Sequence, residues 1–406
     1  MRTRPLLTWQ RVALAMLVLL AIAYHRDLAD SLRYVWGATR GSSTWPPASI
    51  KVAVPWPRDG GDGIVQGVTL AIEELDAGGG PLAGKFQASY FDEHEDLNEA
   101  GTLARQIAAD RNIMGVIGHR NSASALQSAV TYERHGILYL SPQATLTRLT
   151  NHRFQYTFRL VPNDDAVAAA LVEYARTRGW KRVGVLYSRI EECEALAQSF
   201  ILRAHQTGLV ISFSSSYLPA ISFSSSYHPV RAYRQNDFRP LLAATNNRPT
   251  DAILLADQLP SAGKMLLDMQ ELGMKLPVLS GDSLDSSVTW NIAGKSAERL
   301  RFAGFVDPES KEPAYAAFRE RYRRRFGSPP GYSGAQGYAA LMLLAQAVER
   351  SRSTVPIAVG TTIRTNTWDG IFGKVSFGDD GQIEGRKVII KHIENGHIVP
   401  VKEVNP

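Results

Sequence analysis

From Ile50 onward the chain alternates two hydrophobic rhythms. Short unbroken apolar runs suit buried strands, and runs with apolar residues three and four apart suit helices. Ile50–Pro55 (IKVAVP) reads as the first strand, followed by Gly60, Gly61, Gly63 and Gly67 and a helix through Leu70, Ile72 and Leu75 that stops at Gly78-Gly79-Gly80. A second strand over Phe86–Phe91 runs into the acidic loop Asp92-Glu93-His94-Glu95-Asp96. The pattern then predicts helix Ala100–Asp110, strand Ile113–Gly118, a Ser-rich turn Asn121–Ser124, helix Ala125–His135, strand Ile137–Leu140 and the turn Ser141-Pro142-Gln143-Ala144-Thr145. Such alternation argues for a parallel sheet covered by helices on both faces.

After Phe154–Leu160 the alternation starts again. Helix Asp165–Arg178, strand Arg182–Tyr187, helix Glu194–Gln206 and strand Leu209–Phe213 are followed by helix Phe238–Ala244, strand Ala252–Ala256, helix Ala262–Leu272 and strand Pro277–Ser280. Two successive units of similar size predict an α/β protein of two doubly wound Rossmann-like lobes. A pair of that kind places a ligand between the C-terminal strand ends of its two sheets. Residues 211–220 and 221–230 form a tandem repeat identical at eight of ten positions. One ten-residue copy cannot build a solenoid, so it reads as an enlarged loop or a strand hairpin.

The N-terminus breaks the pattern. Arg2, Arg4 and Arg11 precede the unbroken apolar run Val12–Ala23, and Ala21-Ile22-Ala23 offers a cleavage site. Residues 1–23 are therefore expected to be a signal peptide or a retained signal-anchor helix, with 24–49 as a juxtamembrane linker. Lys plus Arg number 45 and Asp plus Glu 39, a net +6, of which +4 comes from the six Arg and two Asp of residues 1–49. A body of only +2 is not a nucleic-acid binder. The single cysteine excludes an intrachain disulfide and any Cys-based metal site. An exported body without disulfides suits a bacterial periplasm.

Other candidate chemistry weighs lightly. Gly61, Gly63 and Gly67, with Asp92 ending the next strand, come close to a dinucleotide fingerprint, but the spacing has one residue too many and Asp59 and Asp62 would repel a pyrophosphate. Residues 92–96 could hold a cation, although charge runs after strands are usually solvated loops. The nine histidines contain no His-x-x-x-His pair, and Ser261-x-x-Lys264 lacks the companion motifs of a penicillin-recognising enzyme. Cys193 has no positioned base. Phe318, Tyr322 and Phe326 recur on one helix face as a core stripe, and Arg319, Arg321, Arg323, Arg324 and Arg325 of the same helix form a solvated face or a docking patch. No cofactor, metal or catalytic residue is expected.

The order of turns resembles the periplasmic binding proteins of type I, specifically the branched-chain amino acid (leucine/isoleucine/valine)-binding family. The landmarks are Gly67, Gly118-His119 with Ser122-Ala123-Ser124, Ser141-Pro142 with Ala144-Thr145, Phe158-Arg159, Trp180-Lys181-Arg182-Val183, Asp237-Phe238 and Ile292-Ala293-Gly294. The resemblance implies three hinge crossovers, with lobe 1 over 50–163 and 306–355 and lobe 2 over 164–305 and 356–406. It implies a solute-binding protein, not an enzyme, that serves an ABC permease in the periplasm. A membrane-tethered ligand sensor is the alternative. Ser122, Ala123, Ser124, Ala144 and Thr145 would grip the α-carboxylate and α-ammonium of an amino-acid-like ligand, with Trp56 as one wall. The second lobe departs from the family pattern. Glu192-Cys193 replaces a Tyr-Gly, Gln258 and Leu259 replace aromatics, and Asp282 stands one position from the expected ammonium-binding acid. Glu192 and Asp282 would favour a polar or cationic ligand.

Overall fold

A computed structural model describes residues 40–58, 63–94, 96–218, 237–245 and 248–401. The leader, the second copy of the tandem repeat and the tip of the Gly-rich turn (residues 59–62) lie outside the described residues.

The first sheet is five-stranded and wholly parallel, in the order β2-β1-β3-β4-β5. Its strands are β1 (Ile50–Pro55), β2 (Phe86–Phe91), β3 (Ile113–Ile117), β4 (Leu138–Ser141) and β5 (Thr157–Arg159). Between them run α1 (Ile64–Ala77), α2 (Leu97–Ala109), α3 (Ser122–Arg134) and the short α4 (Arg148–Asn151). The period-2 alternation of β1 sorts its residues between two cores. Val52 and Val54 pack under α1 with Val68 and Ala71, whereas Ala53 faces Ala104 and Ile107 of α2 and Ala129 of α3.

The second sheet is seven-stranded, in the order β15-β14-β10-β9-β8-β6-β7. It comprises β6 (Arg182–Ser188), β7 (Val210–Tyr217), β8 (Ala252–Ala256), β9 (Val278–Ser280) and β10 (Leu300–Gly304), all parallel, extended by the antiparallel β14 (Ile389–Glu394) and β15 (His397–Pro400). Helices α5 (Asp164–Thr177) and α6 (Glu191–Thr207) cover one face. Helices α7 (Arg239–Thr245) and α8 (Ser261–Glu271) cover the other, with α9 (Ser287–Ala293) beyond them. The first copy of the tandem repeat largely forms β7, the edge strand of this sheet.

The chain crosses between the lobes three times, after β5, after β10 and before β14. On its return to the first lobe it forms α10 (Pro313–Phe326), α11 (Tyr332–Ser351) and α12 (Pro356–Arg364), then a small antiparallel sheet of β11 (Trp368–Gly370), β12 (Gly373–Phe377) and β13 (Ile383–Glu384). This return differs from the expected division, which moved the chain to lobe 2 at residue 356. Val359, Ile363, Trp368, Ile371, Phe377 and Ile383 all join the first-lobe core, and only β14 and β15 enter the second sheet. The apolar residues of 356–383 find their partners on α11 and β4, so burial sets the crossing near residues 385–388.

The expected linker also ends early. Arg40 is buried and donates to the carbonyls of Ala108, Asp110 (2.8 Å), Ile113 (3.2 Å) and His135 (2.9 Å). Ser42 N–H donates to Thr354 Oγ1 at 2.7 Å. The folded body thus begins at least ten residues before Ile50, because one guanidinium satisfies carbonyls at several helix and loop ends that would otherwise be orphaned.

Candidate functional site

Two turns at the C-terminal edge of the first sheet build one side of the cleft. The loop after β3 enters α3 through Asn121, whose side-chain oxygen caps the helix by accepting from Ser124 N–H at 2.9 Å. Ser122, at the first helical position, reaches the turn after β4, and its Oγ accepts from Thr145 N–H (3.2 Å) and Leu146 N–H (3.3 Å). The two turns predicted from sequence are therefore bonded to each other. Ala144 is buried beside them, as is Ser124, whose Oγ has no partner among the described residues. Trp56 is buried in the first-lobe core at the end of β1, and its backbone N–H donates to Phe91 O at 2.9 Å.

The opposing side comes from the second lobe. Glu192 lies in the first turn of α6, where acidic residues suit the positive end of the helix dipole. Its Oε1 accepts from Ala123 N–H across the cleft at 2.9 Å. One carboxylate therefore meets the N-terminal turns of two helices, one from each lobe. A second pair joins the lobes at the rim, Arg148 Nη1 to Glu191 Oε1 at 2.9 Å, both side chains exposed.

Asp164, the first residue of α5 at the first crossover, is a candidate that the sequence did not single out. It is 3% exposed, and its Oδ2 has no hydrogen-bond partner among the described residues. Burial pushes its carboxyl up to about 7. The Thr145 hydroxyl and the Arg159 guanidinium oppose the rise, and Asp165 and Glu192 add to it. Arg159 is itself buried, and its guanidinium is committed to Thr145 O (3.1 Å), Leu146 O, Thr150 Oγ1 and Gln382 Oε1. Burial lowers it to about 10.

Asp282 opens the short turn Asp282–Leu284 after β9. Burial and then repulsion from Asp164 lift it to about 7, with Asp285 adding and Lys391 opposing. Lys391, on β14, is held by Asp285 at 2.7 Å with both side chains buried. That pair was not legible in the sequence because its members lie 106 positions apart and no motif links them. Tyr332, at the start of α11, has its hydroxyl pKa raised by burial first and then by the Asp282 charge. Its neighbour Gln336 is fully buried with Oε1 unpartnered.

The remaining candidates have structural explanations. Glu93 of the acidic loop is buried, bonding His119 Nδ1 and accepting from Arg120 N–H at 3.0 Å, while His119 Nε2 meets Tyr132 OH at 2.9 Å. Asp92 and Asp96 accept from backbone N–H groups, the latter capping α2. No group of three metal-capable side chains gathers among the described residues. Cys193 is buried, and burial raises its thiol further. Of the arginines on α10, Arg325 is bidentate to Glu73 (2.8 Å), Arg321 holds Glu74 (2.7 Å), Arg323 meets Glu320 and Arg319 meets Glu309. Four of the five cations in that docking patch are thus paired within the chain.

Two α/β lobes joined by three crossovers, with paired turns from one lobe facing a helix start from the other, define a protein that binds a solute by closing a cleft. The model of the family described as "Periplasmic binding protein" matches residues 49–396, and the chain belongs to that family. The leucine-specific-binding protein of Salmonella typhimurium is 26% identical over 342 residues, 83% of this chain and 88% of its own. The Leu/Ile/Val-binding protein of Escherichia coli is 25% identical over 345 residues, 83% and 88%. Among solved structures, the ABC transporter substrate-binding protein from Desulfitobacterium hafniense in complex with Leu aligns with a TM-score of 0.75 at 28% identity, covering 87% of this chain and 100% of that one.

Proposed function

We propose that this protein is the substrate-binding component of an ABC importer, closing its lobes around one small amino-acid-like or polar solute and presenting the closed form to permease subunits. The observation that carries this reading is the pair of turns holding Ser122 against Thr145, faced across the cleft by Glu192. Ser122, Ala123, Ser124, Ala144 and Thr145 are the proposed first-lobe contacts, Glu192, Asp164 and Asp282 the second-lobe contacts, and Trp56 one wall. The relatives named above support import over catalysis, since two are binding proteins for leucine or for Leu/Ile/Val and the third is an ABC transporter substrate-binding protein. Closure desolvates the solute's charges and makes a surface that the open form lacks.

We further propose a periplasmic location, with residues 1–23 either cleaved or retained as a tether. No helix among the described residues is long and apolar enough to cross a membrane. Intact-mass measurement of the native protein decides between cleavage and retention. The function itself is tested by a thermal-shift screen against amino acids, amides, polyamines and small carboxylates. A solute at 100 times its Kd adds about 2.7 kcal/mol of stability. The expected hit loses its shift in Thr145→Ala, whereas a panel without any hit would remove the importer reading.

A further inference from the structure

Among the described residues the cleft gathers the carboxyls of Asp164, Glu192 and Asp282 without a cation paired to any of them, which constrains the solute more tightly than the fold does. Four amides of the two first-lobe turns are already committed: Ala123 N–H to Glu192, Ser124 N–H to Asn121, and Thr145 and Leu146 N–H to Ser122 Oγ. The seat that the family resemblance assigns to a ligand carboxylate is thus filled by a carboxylate of the chain itself. Two buried oxygens in the same region have no hydrogen-bond partner among the described residues. Asp164 is 3% exposed with Oδ2 unpartnered, and Gln336 is fully buried with Oε1 unpartnered. Among the described residues no cation forms an ion pair with Asp164, Glu192 or Asp282. Arg159 is spent on carbonyls, a hydroxyl and the Gln382 amide, and Lys391 on Asp285. Burial and mutual repulsion among these acids mark the deficit as electrostatic as well as geometric.

Resting on the solute-binding reading, we propose that the cleft selects a cationic amine whose carboxylate is absent or blocked, with Glu192 acting as a built-in substitute for the missing ligand carboxylate. An ammonium or diamine supplies a donor to the unpartnered Asp164 Oδ2 and neutralises the buried charge of Asp164 and Asp282. A zwitterionic amino acid would have to displace Glu192 from Ala123 N–H and would bring a further negative charge into the same space. Glu192 is therefore the specificity-determining residue.

The test is titration calorimetry on the purified full chain, stripped of co-purified solute, with two matched pairs: L-leucine against L-leucinamide, and 4-aminobutyrate against putrescine. In each pair the second member lacks the carboxylate and has the more positive net charge, and in putrescine a second ammonium takes the carboxylate's place. The wild type is expected to bind at least one amine tenfold or more tighter than its carboxylate partner. Glu192→Ala, which frees Ala123 N–H, is expected to shrink or reverse that ratio. If the carboxylate member binds as well as the amine in the wild type and Glu192→Ala leaves the ratio unchanged, this inference falls while the solute-binding reading stands. If no member of either pair gives heat with either protein, the inference and the solute-binding reading fall together.

Discussion

Asp164 and Asp282 concentrate the electrostatics of the cleft. Both carboxyls are raised to about 7, against an ordinary value near 3.8, by burial first and then by the acids around them. Between pH 4 and 7 the folded protein therefore holds protons that the unfolded chain has released, so stability falls as pH rises through that window. Melting curves of the unliganded protein should show a lower Tm at pH 7.5 than at pH 5. The drop should shrink in the double variant Asp164→Asn, Asp282→Asn, and an unchanged drop would assign the pH dependence to other groups. Glu93 and His119 illustrate the opposite solution, a buried acid with its partners in place. The acidic run 92–96 read as a solvated loop because nothing local in it distinguishes Glu93, which is buried only through a histidine 26 positions away.

At the scale of elements, the first lobe depends on a close crossing of α1 and α11. A Cβ added at Gly67 would collide with Gly334 O and come within 2.9 Å of Tyr338 N. Helix backbones that approach this closely leave no room for a methyl group, which accounts for Gly67 as a sequence landmark. Gly67→Ala should force the helices apart and cost about 1–3 kcal/mol, read as a lower midpoint in urea with little change in slope. A midpoint within error of wild type would show that the crossing can relax. The aromatic face of α10 behaved as its spacing foretold, with Phe318 and Tyr322 buried. Its arginines did not form a free patch, since carboxylates on α1 and on the α10 segment itself take up most of their charge.

At the scale of the whole molecule, the links between the lobes on the cleft side, among the described residues, are the crossovers and a few side-chain bridges. Ala123 to Glu192 and Arg148 to Glu191 are the polar ties between α3 or α4 and α6. Exposed ion pairs contribute about 0–1 kcal/mol, so closure is left to the solute and to the Glu192 contact. Small-angle scattering should record a smaller radius of gyration when a bound solute closes the cleft. Glu192→Ala should shift the unliganded protein toward the more open value. An identical radius in all three states would mean that the lobes are held rigidly by the crossovers.

The repeated strand–helix alternation by itself determined the α/β class, the two lobes and the turns that carry Ser122, Ala123, Ser124, Ala144 and Thr145. Those features are written in short-range hydrophobic period and in turn residues, which act over a few positions. Tertiary structure alone decided that residues 356–384 return to the first lobe, because long-range burial and not local propensity chooses their partner sheet. It alone decided that Arg40 belongs to the body, that Lys391 answers Asp285, and that Asp164 joins Glu192 and Asp282. Each of these depends on charges and carbonyls brought together from distant parts of the chain, and a charge buried without its partners is costly enough that only the completed fold can place it.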